Sequence, residues 1–120
     1  MFNHNTLITR IYTAENGLSY FEDVLPPTLY PIGKKQRVSQ ILGAARLFEF
    51  DADFQCDWHI SSKRCYYLYL QGRQAVEVSG GGQKEFGPGD IILAEDLSGK
   101  GHRSWSTSHV PGRAVIITLS

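Results

Sequence analysis

Histidines stand at positions 4, 59, 102 and 109 of this chain, and two of them sit where imidazole chemistry is possible. His102 follows Ser-Gly-Lys-Gly, a loop whose glycines let the backbone turn sharply and aim the ring inward. His59 lies in an extended segment, QCDWHIS. A free imidazole titrates near neutral pH, so either ring suits a general base or a general acid. Alternation with period two keeps same-parity strand residues on one face. It groups Asp57, His59 and Ser61 on one strand, and Cys65, Tyr67 and Tyr69 on the next. With Ser104, these residues are the candidate lining of a small-molecule pocket. CYYLYL serves as core as readily as pocket wall. His4 near the N-terminus and His109 in SHVPG read as surface or loop positions, and Cys56 as a small packed hydrophobe. Asp96, Ser98 and Lys100 read as structural, the first two hydrogen-bonding the loop backbone.

Positioning two distant histidines requires a scaffold of strands. LITRIYTA and SYFEDVLP flank the turn signal Glu-Asn-Gly. PPTLYPIGKK is a proline- and glycine-rich arm that can hold neither a helix nor a central strand. In RLFEF, Phe48 and Phe50 alternate with Leu47 and Glu49. AVEVSGGGQKEF is a hairpin, and the Gly-Pro-Gly-Asp of FGPGD is a tight turn with a preset proline φ. DIILAED and RAVIITLS are apolar runs bounded by turns. Only SQILGAA offers a helical turn, and Gly43 argues against more. Short strands with turns every 8–12 residues predict an all-β sandwich or barrel.

The chain has 120 residues, enough for one core. A single domain is expected, with about 1–45 as N-terminal strands and arm and about 46–120 as the barrel core. Acidic and basic residues balance at 12 each, which gives no electrostatic footprint for nucleic acid or an anionic membrane. No window approaches the ~20 apolar residues of a membrane-spanning helix. MFNHNTLITRIY lacks the basic start and apolar run of a secretory signal, and two cysteines make no disulfide framework. A reducing cytoplasm is the expected compartment.

The order of parts resembles the small single-domain cupins, double-stranded β-helix proteins of the jelly-roll type. The resemblance rests on YLYLQGRQAVEV followed by PGDIILAEDLSGKGH and covers about half the chain. The wording FGPGD, LAED and GKGH is similar to a subgroup of uncharacterised bacterial cupins. The resemblance implies a jelly-roll barrel and, in many members, a divalent metal held by two histidines, a glutamate and a distant histidine. Those positions fall here on His59, Ser61, Cys65 and His102. Half of the ligand set is therefore absent, and three readings stand open. A reduced site of His59, Cys65 and His102 would take Zn, Fe, Mn or Ni. A metal-free pocket would use the two histidines on a ligand. An inert core would merely hydrogen-bond them.

For function, the first expectation is a small-metabolite isomerase, lyase or cyclase in which His59 or His102 moves protons. Trp58 and Trp105, with the two tyrosines, would suit an aromatic or oxygenated substrate. The second expectation is a metabolite-binding module or sensor without turnover. In either case small cupins pair through N-terminal strands, so the resemblance implies a homodimer.

Overall fold

The computed structural model describes residues 7–25, 30–31, 37–38 and 43–119. Two strands open the chain as a hairpin, β1 (Ile8–Thr13) and β2 (Ser19–Val24). Its turn is held where Asn16 Oδ1 accepts the Leu18 N–H at 3.0 Å. A two-residue ladder of β3 (Tyr30–Pro31) with β4 (Arg37–Val38) stands apart within the arm. The other strands are β5 (Ala45–Phe50), β6 (Gln55–His59), β7 (Cys65–Gln71) and β8 (Gln74–Val78). They are followed by β9 (Gln83–Phe86), β10 (Ile91–Glu95), β11 (His102–Ser106) and β12 (Gly112–Thr118). No helix occurs among the described residues, and Gly43 and Ala44 lie outside any regular element. The rest of the helical turn considered for SQILGAA lies, up to residue 42, outside the described residues.

The strands form a larger sheet in the order β2-β1-β10-β7-β12-β5 and a smaller one in the order β6-β11-β8-β9. Each sheet keeps two edges, so the expected jelly-roll barrel takes the form of two open sheets packed face to face. Residues 8–24 of the N-terminal region extend the chain's own larger sheet, with β1 parallel to β10. Packing follows alternation. On β7, Cys65 and Tyr69 are buried in the intersheet core, while Tyr66 and Leu68 face the outer side. On β5, Phe48 and Phe50 turn inward and Leu47 and Glu49 stay exposed, as their spacing predicts. From the smaller sheet, Val76, Val78 and Phe86 complete the core, with Phe86 stacked on Tyr69 at 5.9 Å. Each such apolar side chain removed from water contributes about 1.5–3 kcal/mol.

Of the connections that carry the chain between the sheets, two shape the site. The Gly-Pro-Gly-Asp turn joins β9 to β10, and its Asp90 carboxylate accepts the Gly87 N–H at 2.8 Å. The loop 97–101 returns the chain from β10 to β11 and thereby sets Asp96, at the end of one sheet, close to His102, at the start of the other.

Candidate functional site

The return loop can be this tight only with glycine at its bends. Gly99 and Gly101 have φ of +76° and +80°, in the left-handed region that side chains disfavour. A Cβ on Gly99 would collide with the Gly17 carbonyl, and one on Gly101 with the His59 carbonyl. Backbone bonds from Lys100 N to Gly17 O and from Ser79 N to Gly101 O, both 3.0 Å, fix the loop between neighbouring elements. His102 is thereby held with its ring turned inward, as the loop chemistry predicts, and is 7% exposed.

Its partner is Asp96, which is fully buried. His102 Nδ1 lies 2.5 Å from Asp96 Oδ2. The same oxygen accepts Ser19 Oγ at 3.2 Å, and Oδ1 accepts Ser61 Oγ at 3.0 Å. A carboxylate out of water needs such donors, since an unpaired buried charge is strongly unfavourable. The arrangement gives Nδ1 the hydrogen and leaves Nε2 of His102 as the ring nitrogen available to a ligand. Asp96, read from the sequence as a structural residue bonding the loop backbone, instead bonds three side chains, those of His102, Ser19 and Ser61. An acidic residue six positions before a histidine, across a glycine-flanked loop, was the sequence signal for it.

His59 stands opposite His102 in the β6–β11 ladder, their ring centroids 4.5 Å apart. Its Nδ1 lies 2.8 Å from the Asp57 carbonyl, which can only accept, so Nε2 is again the nitrogen left over. Between His102↔His59 and Ser104↔Cys56 the register slips by one residue, a β-bulge in β6. Such a bulge re-aims the side chains on either side of it. It turns Cys56 inward together with His59, the thiol sulfur 3.4 Å from Nδ1. Strict alternation placed Asp57 on that wall instead. In the structure Asp57 is exposed, caps the Trp58 N–H at 2.8 Å and borders a separate surface depression with Arg103 and Trp105. Trp58 also faces away from the pocket, with Lys100 and Arg103 over its ring at 4.9 and 5.0 Å. Neither Trp58 nor Trp105, expected to suit an aromatic substrate, lines the pocket that His59 and His102 share.

Between the sheets lies a chamber of about 200 Å³. Ile11, Phe48, Tyr67, Tyr69 and Ile92 wall it from the larger sheet, and His59, Cys56, Gln74, His102 and Ser104 from the smaller. Burial pushes the Tyr67 hydroxyl up to about 12 and raises that of Tyr69 further, so both phenols stay neutral across the ordinary pH range. Tyr69 donates to Gln74 Oε1 at 2.7 Å. The Gln74 amide nitrogen, also buried, has no partner among the described residues. A second, more polar cleft of about 430 Å³ adjoins the chamber and shares His59 and Tyr67 with it. Arg46, Ser61, Lys63 and Cys65 border this outer cleft. Ser61 and Cys65, expected in the pocket beside His59, thus border this second cleft and not the chamber, and burial raises the Cys65 thiol.

For a metal, the structure brings two imidazoles together, with the Cys56 thiol beside His59, while Cys65 borders the other cleft. Among the described residues no three His, Cys, Asp or Glu side chains are grouped to hold an ion. That donor set does not fit a metal centre with three protein ligands, and no chemical step is derived through one.

No protein-family model and no curated protein matches the chain. Solved structures do. The chain is similar to protein NMB1881 from Neisseria meningitidis, at 15% identity and a TM-score of 0.50, over 98% of this chain and 87% of that one. It also matches the conserved SPY1581 protein of unknown function from Streptococcus pyogenes, at 10% identity and a TM-score of 0.48, over 100% and 79% of the two chains. A third match is a putative ethanolamine utilization protein Q from Salmonella typhimurium, at 10% identity and a TM-score of 0.42, over 95% of each chain. At these identities the likeness concerns the fold alone: an all-β, two-sheet architecture distantly related to bacterial proteins. No described helix is long and apolar enough to cross a membrane.

Proposed function

We propose that the chain is a cupin-type protein that moves a proton on a small organic molecule, in an isomerase- or lyase-type reaction. The observation that carries this reading is the buried Asp96–His102 pair opening onto the chamber. A carboxylate on Nδ1 fixes the tautomer and orientation of an imidazole and faces the positive charge the ring acquires on taking a proton. His102 Nε2 removes a proton from a C–H bond beside a carbonyl, and the electron pair passes to the carbonyl oxygen as an enolate. The imidazolium then returns the proton to the same carbon from either face, or, where that carbon bears a hydroxyl group, to the former carbonyl carbon while the hydroxyl proton passes to the enolate oxygen. His59 Nε2, from the facing ring, is the second group able to relay it. The neutral Tyr67 hydroxyl is a donor for the enolate oxygen. Fold similarity is silent on the reaction; the site alone supports this class.

The test is exchange of substrate hydrogen in deuterated water, followed by mass spectrometry across a library of small carbonyl compounds and acids. Exchange that disappears in His102→Gln and is strongly reduced in Asp96→Asn supports the proposal. Exchange unchanged in His102→Gln refutes it. The unpartnered Gln74 amide favours a second reading, capture of an oxygen-bearing ligand without turnover. Saturable binding of a library member with no exchange in any of them would establish that one.

A further inference from the structure

The outer cleft is bordered by two cations that no described aspartate or glutamate neutralises. Every aspartate and glutamate of the sequence lies among the described residues. Arg10 and Arg64 both pair with Glu95, Arg73 with Glu85, and Arg103 with Glu77. Lys84 pairs with Asp23 and Arg113 with Glu49, while Lys100 lies over Trp58. Arg46 and Lys63 have no such partner among the described residues, and both border the cleft beside His59. Arg46 also occupies the inward-facing row of β5, in register with Ile116 and two residues before Phe48, which walls the chamber. An inward charge on an edge strand protects against unwanted strand pairing. That role explains neither Lys63, which comes from the β6–β7 connection, nor the continuity of the cleft with the chamber. Arg46 lies near enough to Tyr67, which lines both spaces, and to Cys65 for its charge to oppose the upward push of burial on both.

We propose that the outer cleft binds the carboxylate of a small organic acid, with Arg46 as the principal partner and Lys63 as the second. The apolar remainder of the molecule then passes His59 and Tyr67 into the chamber. This rests on reading the chamber as the ligand site. The planar guanidinium fork matches a carboxylate with two parallel hydrogen bonds. A phosphate would draw on a nest of backbone N–H groups or a helix N-terminus, and the described cleft has no helix. The chamber limits the remainder to about one six-membered ring or a short branched chain, since apolar cavities of about 150 Å³ accept benzene.

The experiment compares benzoate and cyclohexanecarboxylate with benzamide and cyclohexanecarboxamide, by ligand-observed NMR and calorimetry on the intact chain. Carboxylates are expected to bind at least about tenfold more tightly than the amides, and less tightly as salt is raised. Arg46→Gln, whose fold is verified by circular dichroism, is expected to weaken carboxylates about 10- to 100-fold and leave the amides within about twofold. Lys63→Gln acts in the same direction but less. Equal affinity for acid and amide, equal loss of both in Arg46→Gln, or no binding by any probe at millimolar concentration overturns the proposal. Its fate separates from that of the proton-transfer reading. Arg46-dependent carboxylate binding that survives His102→Gln, with no hydrogen exchange, keeps the anion site and removes the catalysis. Exchange confined to neutral compounds and indifferent to Arg46→Gln does the reverse.

Discussion

Replacing Asp96 with alanine removes the acceptor for three buried donors at once: His102 Nδ1–H, Ser19 Oγ–H and Ser61 Oγ–H. Each donor left without a partner costs about 1–3 kcal/mol. The serine hydroxyls can rotate, and water can enter part of the vacated space, so the three penalties do not add in full. A loss of about 3–5 kcal/mol follows, in line with breaking other buried charged networks. The stability of a domain this size is about 5–15 kcal/mol. Asp96→Asn serves as the control. Its oxygen can still accept from His102 and Ser19, and its amide can donate to Ser61 Oγ, so only charge assistance is lost, about 1–2 kcal/mol. Urea titration followed by tryptophan fluorescence reads both. With a slope of about 2 kcal/mol per molar, the alanine midpoint falls by about 2 M and the asparagine midpoint by less than 1 M. Exposed Asp57→Ala should move the midpoint hardly at all. A shift below about 0.5 M for Asp96→Ala, or equal shifts for alanine and asparagine, would refute the claim that this carboxylate organises the site.

Gly101→Ala forces a Cβ against the His59 carbonyl at a positive φ, so β6 must move away from β11. It should cost more than about 1 kcal/mol and separate the two imidazoles, seen as a changed His59 ring shift in NMR; an unperturbed spectrum contradicts the packing. At alkaline pH, Tyr67 ionises near 10 when unfolded but near 12 when folded. Its contribution to stability is therefore complete below pH 10 and lost as pH rises toward 12, at no more than about 1.4 kcal/mol per pH unit. The slope of the urea midpoint against pH in that window should flatten in Tyr67→Phe; an identical slope removes the assignment. The double variant Tyr69→Phe/Gln74→Leu replaces both members of a buried polar pair and eliminates the unpartnered amide. It should melt at or above the parent while Tyr69→Phe alone melts below it, and a double variant markedly less stable than the single one would tell against that accounting.

Local chemistry was enough to read several elements directly from the sequence. Phe48 and Phe50 alternate with Leu47 and Glu49, and Ser-Gly-Gly-Gly marks a hairpin, because strand faces repeat every two residues and glycine supplies the turn. The inward aim of His102 follows from the backbone freedom of Gly99 and Gly101, and the resemblance noted in the sequence implied His59 as its companion. The remainder depended on contacts between distant segments. Asp96 looked like a loop residue until β10 and β11, in different sheets, brought it against His102. The bulge in β6 is a property of a strand pair, so no single strand announces that Cys56 turns inward and Asp57 outward. Gln74 is simply one more polar residue in a strand until Tyr69 claims its oxygen and leaves its nitrogen alone. Arg46 and Lys63 are separated by a full strand and two connections, and only the placement of β5 beside β12 sets them around one cleft. Periodicity reports which side of a strand a residue occupies; which residues from other strands it meets is decided by sheet order and register, which the tertiary fold alone specifies.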